Sequence, residues 1–272
     1  MKAWNSKGIS QRMTKNRPVL KNEDYRLWNL REDSQRMLLL ESAWLKRQLS
    51  QLHGKHLMYH GLDAKMDFLG ACRIPHKFSV GLSWQQGLCN ESAVIESDRW
   101  PISDQSLDVV VLQHSLDYSH RPHQMISEAT RVLDADGSLV LVGFNPWSLW
   151  GGINKILPSS TNMFAKANMV SLSRLLDWLA LLGYSVEECV TSGYFWPLES
   201  VSKQVALNMD QKMTSSSCMS GSLYFIVAKK NTFRGIGLNE KSWASMGAQY
   251  GWVNNLNTSH LNSHQLKSKN KL

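Results

Sequence analysis

Two adjacent polar residues, Gln113 and His114, end the most apolar run of the sequence and are the first candidates for chemistry. The run itself, Leu107–Gln113 (LDVVVLQ), has the length and composition of a strand that is covered on both faces. A histidine titrates near neutral pH, so His114 is the candidate general base, although a histidine here can equally pack or bind water. Asp117 and Tyr118 begin the next loop, where they either line a substrate entrance or serve as capping and packing residues.

The histidines do not form a recognisable metal site. Two groups lie close in sequence, namely His53, His56 and His60, and His114, His120 and His123. Neither group has nearby cysteines or a spacing typical of zinc ligands, and the four cysteines are far apart without a CxxC pair. We therefore expect no metal and no disulfide framework, which suits a reducing cytosol.

The elements that would position these residues alternate between helix and strand. A stripe of apolar residues predicts a first helix over Ser34–Leu52, with Asp33 as its N-cap. A second helix begins near His120 with Pro122 in its first turn, and a third spans Ser171–Leu182 and stops at Gly183. Predicted strands cover Lys55–Tyr59, Lys77–Leu82, Ala93–Glu96, Leu107–Gln113, Ser138–Phe144, Tyr184–Thr191 and Leu223–Lys230, with a turn over Asp134–Gly137. This alternation predicts an α/β fold with its sheet between helices.

The stretch from Glu96 to Phe144 carries several motifs at a characteristic spacing. They are Trp100-Pro101-Ile102, Leu107-Asp108, Glu128-Ala129-Thr130-Arg131-Val132-Leu133 and Asp136-Gly137. On these motifs the chain resembles the type 11 branch of class I S-adenosylmethionine-dependent methyltransferases, and in particular uncharacterised bacterial members with a degenerate glycine-rich loop. The resemblance covers about residues 34–230. It implies a Rossmann-like, doubly wound, mostly parallel seven-stranded sheet with helices on both faces and an antiparallel last strand.

The resemblance also implies that S-adenosylmethionine binds across the carboxyl ends of the first strands. In this family a turn of the pattern Asp/Glu-x-Gly-x-Gly-x-Gly follows the first strand; here Gly61 is present and the next two glycines are not. Ser83 stands near the position of the family's ribose-binding acid, while Glu96 matches the residue that binds the adenine amine. The residues implied to bind the cofactor are therefore Gly61, Ser83, Glu96, Ser97 through its backbone N–H, and Gln113 and His114 facing the methionine moiety.

The formal net charge of +8 resides in the two ends of the chain. Residues 1–22 contain six lysine and arginine residues, residues 256–272 contain three, and neither segment contains an acid. We predict a basic extension over residues 1–33, a methyltransferase-like domain over 34–230 and a polar, poorly ordered basic tail over 231–272. Such ends are either solvated or contact nucleic acid or an acidic lipid surface. No stretch approaches the roughly 20 apolar residues of a membrane span, so we expect a cytoplasmic protein.

Three functional hypotheses follow. The first is an S-adenosylmethionine-dependent methyltransferase acting on an unknown small-molecule or macromolecular acceptor. The second is a catalytically inactive, methyltransferase-like binding or regulatory protein, which the two missing glycines and the missing ribose acid favour. The third is a nucleic-acid-associated protein that uses its basic tails, and whose binding would depend strongly on salt. No motif specifies the acceptor or the oligomeric state.

Overall fold

The computed structural model describes residues 21–63, 65–82, 93–95, 99–148, 151, 166–193 and 221–231. All of them belong to one compact unit, Met1–Thr232. The helices are α1 (Asn22–Asn29), α2 (Glu32–Leu49), a short 3-10 helix (Asp67–Ala71), α3 (Pro122–Val132) and α4 (Leu172–Leu181). The strands are β1 (His56–His60), β2 (His76–Gly81), β3 (Ala93–Val94), β4 (Leu107–Gln113), β5 (Leu133–Phe144), β6 (Tyr184–Ser192) and β7 (Leu223–Lys230).

The described strands form one seven-stranded sheet in the order β3-β2-β1-β4-β5-β7-β6. β1 pairs in parallel with β2 and β4, β2 with β3, and β4 with β5. β7 lies between β5 and β6 and is antiparallel to both. The predicted doubly wound, mostly parallel sheet is therefore confirmed, including its antiparallel strand.

Alternate side chains of the central strands supply two apolar cores, one on each face of the sheet. Val110 and Leu112 of β4 point to the face covered by α3 and α4. Val109 and Val111 point to the opposite face, where α1 and α2 pack. A strand buried on both faces reads as a continuous apolar run, which is why the bounds of β4 agree with the sequence prediction.

The folded region starts earlier than the predicted boundary at residue 34. Tyr25 and Trp28 lie three residues apart on α1 and are 3% and 2% exposed. The Tyr25 hydroxyl donates a hydrogen bond of 2.5 Å to the carbonyl of Leu62, in the loop after β1. The prediction that Asp33 caps the next helix was wrong, because α2 begins at Glu32 with Arg31 in the capping position. Residues 22–33 are thus part of the fold and cover the loop after β1.

The predicted turn at Asp134–Gly137 lies inside β5 rather than before it. α3 leads directly into Leu133, which pairs with Leu107, and the next paired residue of β5 is Ser138. The residues between form a wide bulge, in which Asp136 adopts a φ of 63°. Aspartate tolerates this left-handed conformation better than most side chains, so a turn-like sequence is accommodated within a strand. Within the described ranges, no helix is long and apolar enough to cross a bilayer.

Candidate active site

The carboxyl ends of β1 and β4 form the place in this sheet where the geometry favours a ligand. The two strands are parallel neighbours, with His60 of β1 paired to Leu112 of β4. β1 continues on one side to β2 and β3, whereas β4 continues on the other side to β5. Crossover connections therefore diverge at this point and leave a crevice outside the carboxyl ends, which is where ligands bind in open α/β sheets.

His114 follows β4 at this crevice and is completely buried. Its φ of 57° turns the chain sharply, while its backbone N–H donates to the carbonyl of Val142 at 2.7 Å. The imidazole stacks on the ring of Phe144, with 4.0 Å between ring centroids. Its Nε2 lies 2.7 Å from Oε1 of Glu41 on α2, and its Nδ1 lies 3.0 Å from Oδ2 of Asp117. His114 therefore joins helix α2 to the loop after β4.

Two carboxylates decide the protonation of His114. Burial by itself would lower the pKa of the imidazole, but the charges and hydrogen bonds of Glu41 and Asp117 outweigh burial and raise that pKa to about 9. Both ring nitrogens then donate to carboxylate oxygens at neutral pH. In this geometry the imidazolium offers no lone pair with which to accept a proton. The arrangement supports a positioning role for His114, which differs from the predicted role of general base.

Gln113 belongs to the same hydrogen-bonded chain. Its amide Nε2 donates to Glu41, and its Oε1 accepts a hydrogen bond from the hydroxyl of Tyr59 on β1. The Tyr59 hydroxyl in turn accepts from the backbone N–H of Asp63 at 3.0 Å. The side chain of Gln113 thus bridges α2 and β1, and its amide is held by protein groups on both sides.

Gly61 is the first residue after β1 and lies next to the hydrogen-bonded side chains of Tyr59 and Gln113. A Cβ atom at this position would lie 2.4 Å from the Tyr59 hydroxyl and 2.7 Å from Cβ of Gln113. Any larger residue would therefore displace one of the two side chains. The glycine that the sequence analysis assigned to cofactor binding is required by the packing of the protein itself.

Asp63 occupies the position of the second glycine in the family pattern and is 6% exposed. Its carboxylate accepts a hydrogen bond of 3.0 Å from the backbone N–H of Lys65, which folds the side chain back onto its own loop. Burial raises the pKa of Asp63, and the nearby charges of Glu41 and Asp67 raise it further. We refer to Glu41, Asp63, His114 and Asp117 as the buried ionic cluster.

A second connection between β1 and β4 involves His60 and Ser115. Nδ1 of His60 lies 2.5 Å from the Ser115 hydroxyl, which donates to the carbonyl of His60 at 2.8 Å. From the sequence, His60 was named only within a histidine group that lacks metal-ligand spacing, and neither Ser115 nor Glu41 was predicted. For Glu41 a signal existed, because this acid lies on the same helical face as Met37 and Leu45, both of which are buried.

Ser83, Glu96 and Ser97 lie outside the described residues, so their roles stay predictions. Of the predicted set, the structure brings Gly61, Gln113 and His114 together at the crevice. Asp117 is a buried packing residue that accepts hydrogen bonds from His114 and from the backbone N–H of Phe144, which agrees with the packing alternative considered for it.

The Glu128 and Arg131 pair of α3 anchors the segment that follows Glu96–Ser97 in the chain. Glu128 accepts a hydrogen bond of 3.1 Å from the backbone N–H of Trp100. Arg131 donates to the carbonyls of Trp100 and Ile102 at 3.0 and 2.9 Å, and it also pairs with Asp104 and Glu128. This motif therefore holds the Trp100–Asp104 segment against α3.

Replacing Arg131 with methionine is expected to lower the free energy of unfolding by about 2 kcal/mol, because two carbonyls and two carboxylates lose a charged donor. Urea denaturation followed by circular dichroism measures this change. Arg36→Met is the matched control, since Arg36 makes an i,i+4 ion pair with the exposed Glu32, a type of pair that contributes at most about 0.5 kcal/mol. Equal losses in the two variants would contradict the anchoring role.

Comparisons with known proteins agree with this geometry. Residues 48–141 match the family described as a methyltransferase domain. Over 151 residues the chain is 36% identical to the uncharacterized protein YafS of Escherichia coli (strain K12). The aligned region makes up 52% of this chain and 59% of YafS. The chain thus matches less than two thirds of the length of this relative.

Solved structures show the same fold. A SAM-dependent methyltransferase from Thermotoga maritima has a TM-score of 0.50 at 14% identity, over 72% of this chain and 97% of that one. One from Archaeoglobus fulgidus has a TM-score of 0.50 at 20% identity, over 72% and 94% of the two chains. Together with the strand order, these matches show that the chain has the fold of these methyltransferases, and residues 48–141 within that fold match a methyltransferase domain.

Proposed function

We propose that this chain is a cytoplasmic S-adenosylmethionine-dependent methyltransferase that acts on a small-molecule or macromolecular acceptor. The observation that carries the proposal is the buried ionic cluster, which lies at the crevice between β1 and β4 in a domain of this family. A fold maintained for packing alone would gain stability from apolar residues at these positions, because buried charges are costly. Charged groups retained at a ligand-binding crevice favour a functional role.

The residues of the crevice suit a cofactor of this kind. S-adenosylmethionine supplies an electrophilic methyl group on a sulfonium centre. The backbone of Gly61 and the loop that continues to Asp63 would hold its amino-acid portion, while Ser83 would bind the ribose and Glu96 and the backbone of Ser97 would bind the adenine. The carboxylate of Asp63 is turned onto the Lys65 amide, so the side chain that replaces the second glycine is held by the loop itself.

The remaining residues of the cluster would orient the site. His114 ties the end of β4 to the middle of α2 through Glu41 and to the following loop through Asp117. Asp117 fixes the end of β5 through the Phe144 amide. Phe144 and the buried side chains around it exclude water from this side of the crevice, which strengthens the electrostatic interactions inside it.

The second candidate function, binding without methyl transfer, draws support from two departures from the family pattern, one on β1 and one in the loop after it. Tyr59 takes the position of the acid that begins the family pattern, and Asp63 takes the position of the second glycine. Contact between the basic ends of the chain and nucleic acid stays a prediction from charge, because those ends lie outside the described residues.

Calorimetric titration of the full chain with S-adenosylmethionine tests the proposal. We expect a dissociation constant on the order of micromolar, equivalent to about 8 kcal/mol. Glu96→Ala should weaken binding about tenfold or more, because it removes the proposed adenine contact. Asp134→Asn is the control, since Asp134 lies at the exposed beginning of β5, at the opposite end of the strand from the crevice.

Absence of measurable heat at millimolar ligand would overturn the proposal. Cofactor binding without transfer of a tritiated methyl group to fractionated small molecules, RNA or proteins of a cell extract would favour the second candidate function.

A further inference from the structure

The buried ionic cluster contains more negative than positive groups. Glu41, His114 and Asp117 are fully buried, and Asp63 is 6% exposed. The carboxyl groups of Glu41 and Asp117 both contact the one imidazolium, and the third carboxyl group, that of Asp63, lies in the loop after β1. When all four groups are charged, the cluster carries a net charge of −2, and it still carries −1 when Asp63 is protonated.

The described residues do not balance this charge. Among residues 21–63, 65–82 and 99–148 no lysine or arginine forms an ion pair with Glu41, Asp63 or Asp117. Lys65 contributes its backbone N–H to Asp63, while its side chain is exposed. Lys166, which approaches the same side of the fold, is already paired with Asp24 at 2.8 Å.

One buried carboxylate oxygen of the cluster, Oδ1 of Asp117, lacks a hydrogen-bond partner among the described residues. Oδ2 of the same carboxylate accepts hydrogen bonds from His114 and from the Phe144 amide. An unpaired buried carboxylate oxygen is costly, and such atoms in native proteins usually mark a missing water, ion or ligand. Burial raises the pKa of both Asp117 and Asp63, and the charge of Glu41 raises both further.

We propose that the missing positive charge is that of the sulfonium cofactor, and that the cluster makes the crevice select S-adenosylmethionine over its neutral product, S-adenosylhomocysteine. The inference rests on the proposed cofactor binding. Glu41, Asp63 and Asp117 are then specificity-determining residues that act through their charge. Loss of the methyl group removes the sulfonium charge, so the product meets a net negative, poorly solvated environment without a compensating charge and leaves more readily.

The size of the effect follows from Coulomb's law. One charge–charge interaction across roughly 10 Å at an effective dielectric constant near 20 corresponds to a change of about tenfold in affinity. We therefore expect the full chain to bind S-adenosylmethionine about tenfold more tightly than S-adenosylhomocysteine. Sinefungin carries a protonated amine in place of the sulfonium, and it should follow S-adenosylmethionine rather than the neutral product.

The experiment compares the three ligands by calorimetry on the wild type and on single-charge variants. Asp117→Asn and Asp63→Asn each replace an ionisable carboxyl group with a neutral amide of the same shape, and each should reduce the ratio of the affinities for the cationic and neutral ligands severalfold. Asp134→Asn removes the same charge from the opposite end of β5 and should leave the ratio unchanged. Circular dichroism confirms that each variant is folded. The ratio of the affinities for the cationic and neutral ligands is also measured on the wild type, so the charge selection is tested even if a variant fails to fold.

The outcomes separate this inference from the proposed function. Equal affinities for all three ligands in the wild type would overturn the charge selection and leave cofactor binding intact. A preference for the cationic ligands that persists in both Asp variants would also overturn it. Failure of all three ligands to bind would overturn the proposed function itself.

Discussion

Replacement of His114 with glutamine is expected to lower the free energy of unfolding by about 4 kcal/mol. The substitution removes the one cation that lies between the carboxylates of Glu41 and Asp117, which are both fully buried. A glutamine amide can donate hydrogen bonds, but it cannot neutralise either charge. Breaking a buried ion pair by removing one partner leaves uncompensated charge in the interior, which is among the largest effects that a single substitution produces.

Urea denaturation at pH 7, followed by circular dichroism, measures this loss. His53→Gln is the matched control, because His53 is exposed and the same change there should stay within about 0.5 kcal/mol. A loss below about 1 kcal/mol in His114→Gln would contradict the ionic role.

The double variant Glu41→Gln/His114→Gln separates charge from packing. If the two residues form an ion pair, the double variant loses less stability than the sum of the two single variants, by about 1 to 3 kcal/mol. Strictly additive losses would mean that each residue contributes through packing alone.

The global fold was predictable from sequence because its central elements depend on local composition. β4 and β7 each contain a continuous apolar run that ends in polar residues, and their predicted bounds agree with the structure. α3 begins at Pro122, a residue whose fixed φ suits the first helical turn. The bulge in β5 was not predictable, since a sequence of turn-forming residues does not reveal whether the strand continues through it.

The site was less predictable because its partners lie far apart in the chain. Glu41 and His114 are separated by 73 positions and meet only after α2 packs on the sheet. Sequence indicates that Glu41 interrupts an apolar stripe, but the register of the helix on the sheet decides which residue it meets. The role predicted for His114 depended on a free imidazole nitrogen, but Asp117, three residues away, and the distant Glu41 occupy both nitrogens.

The stability of the protein is expected to fall by about 3 kcal/mol as the pH rises from 6.5 to above 9. The pKa of His114 is about 9 in the folded protein, whereas an unperturbed histidine has a pKa of 6.5. Between these values the folded state holds a proton that the unfolded state releases. The stabilising contribution of His114 is therefore fully present below pH 6.5 and is lost as the pH rises through 9. The two pKa values differ by an amount that corresponds to about 3 kcal/mol.

Urea denaturation at intervals from pH 6 to pH 10 measures the slope. Burial raises the pKa of the Cys189 thiol to about 12, so this group also destabilises the folded state at alkaline pH, once the thiol ionises in the unfolded chain. The His114→Gln variant retains Cys189 and lacks the imidazole, so the difference between its profile and that of the wild type isolates His114. Parallel profiles would show that His114 is not protonated between its two carboxylates, and a wild-type profile that falls more steeply between pH 6.5 and 9 would show that it is.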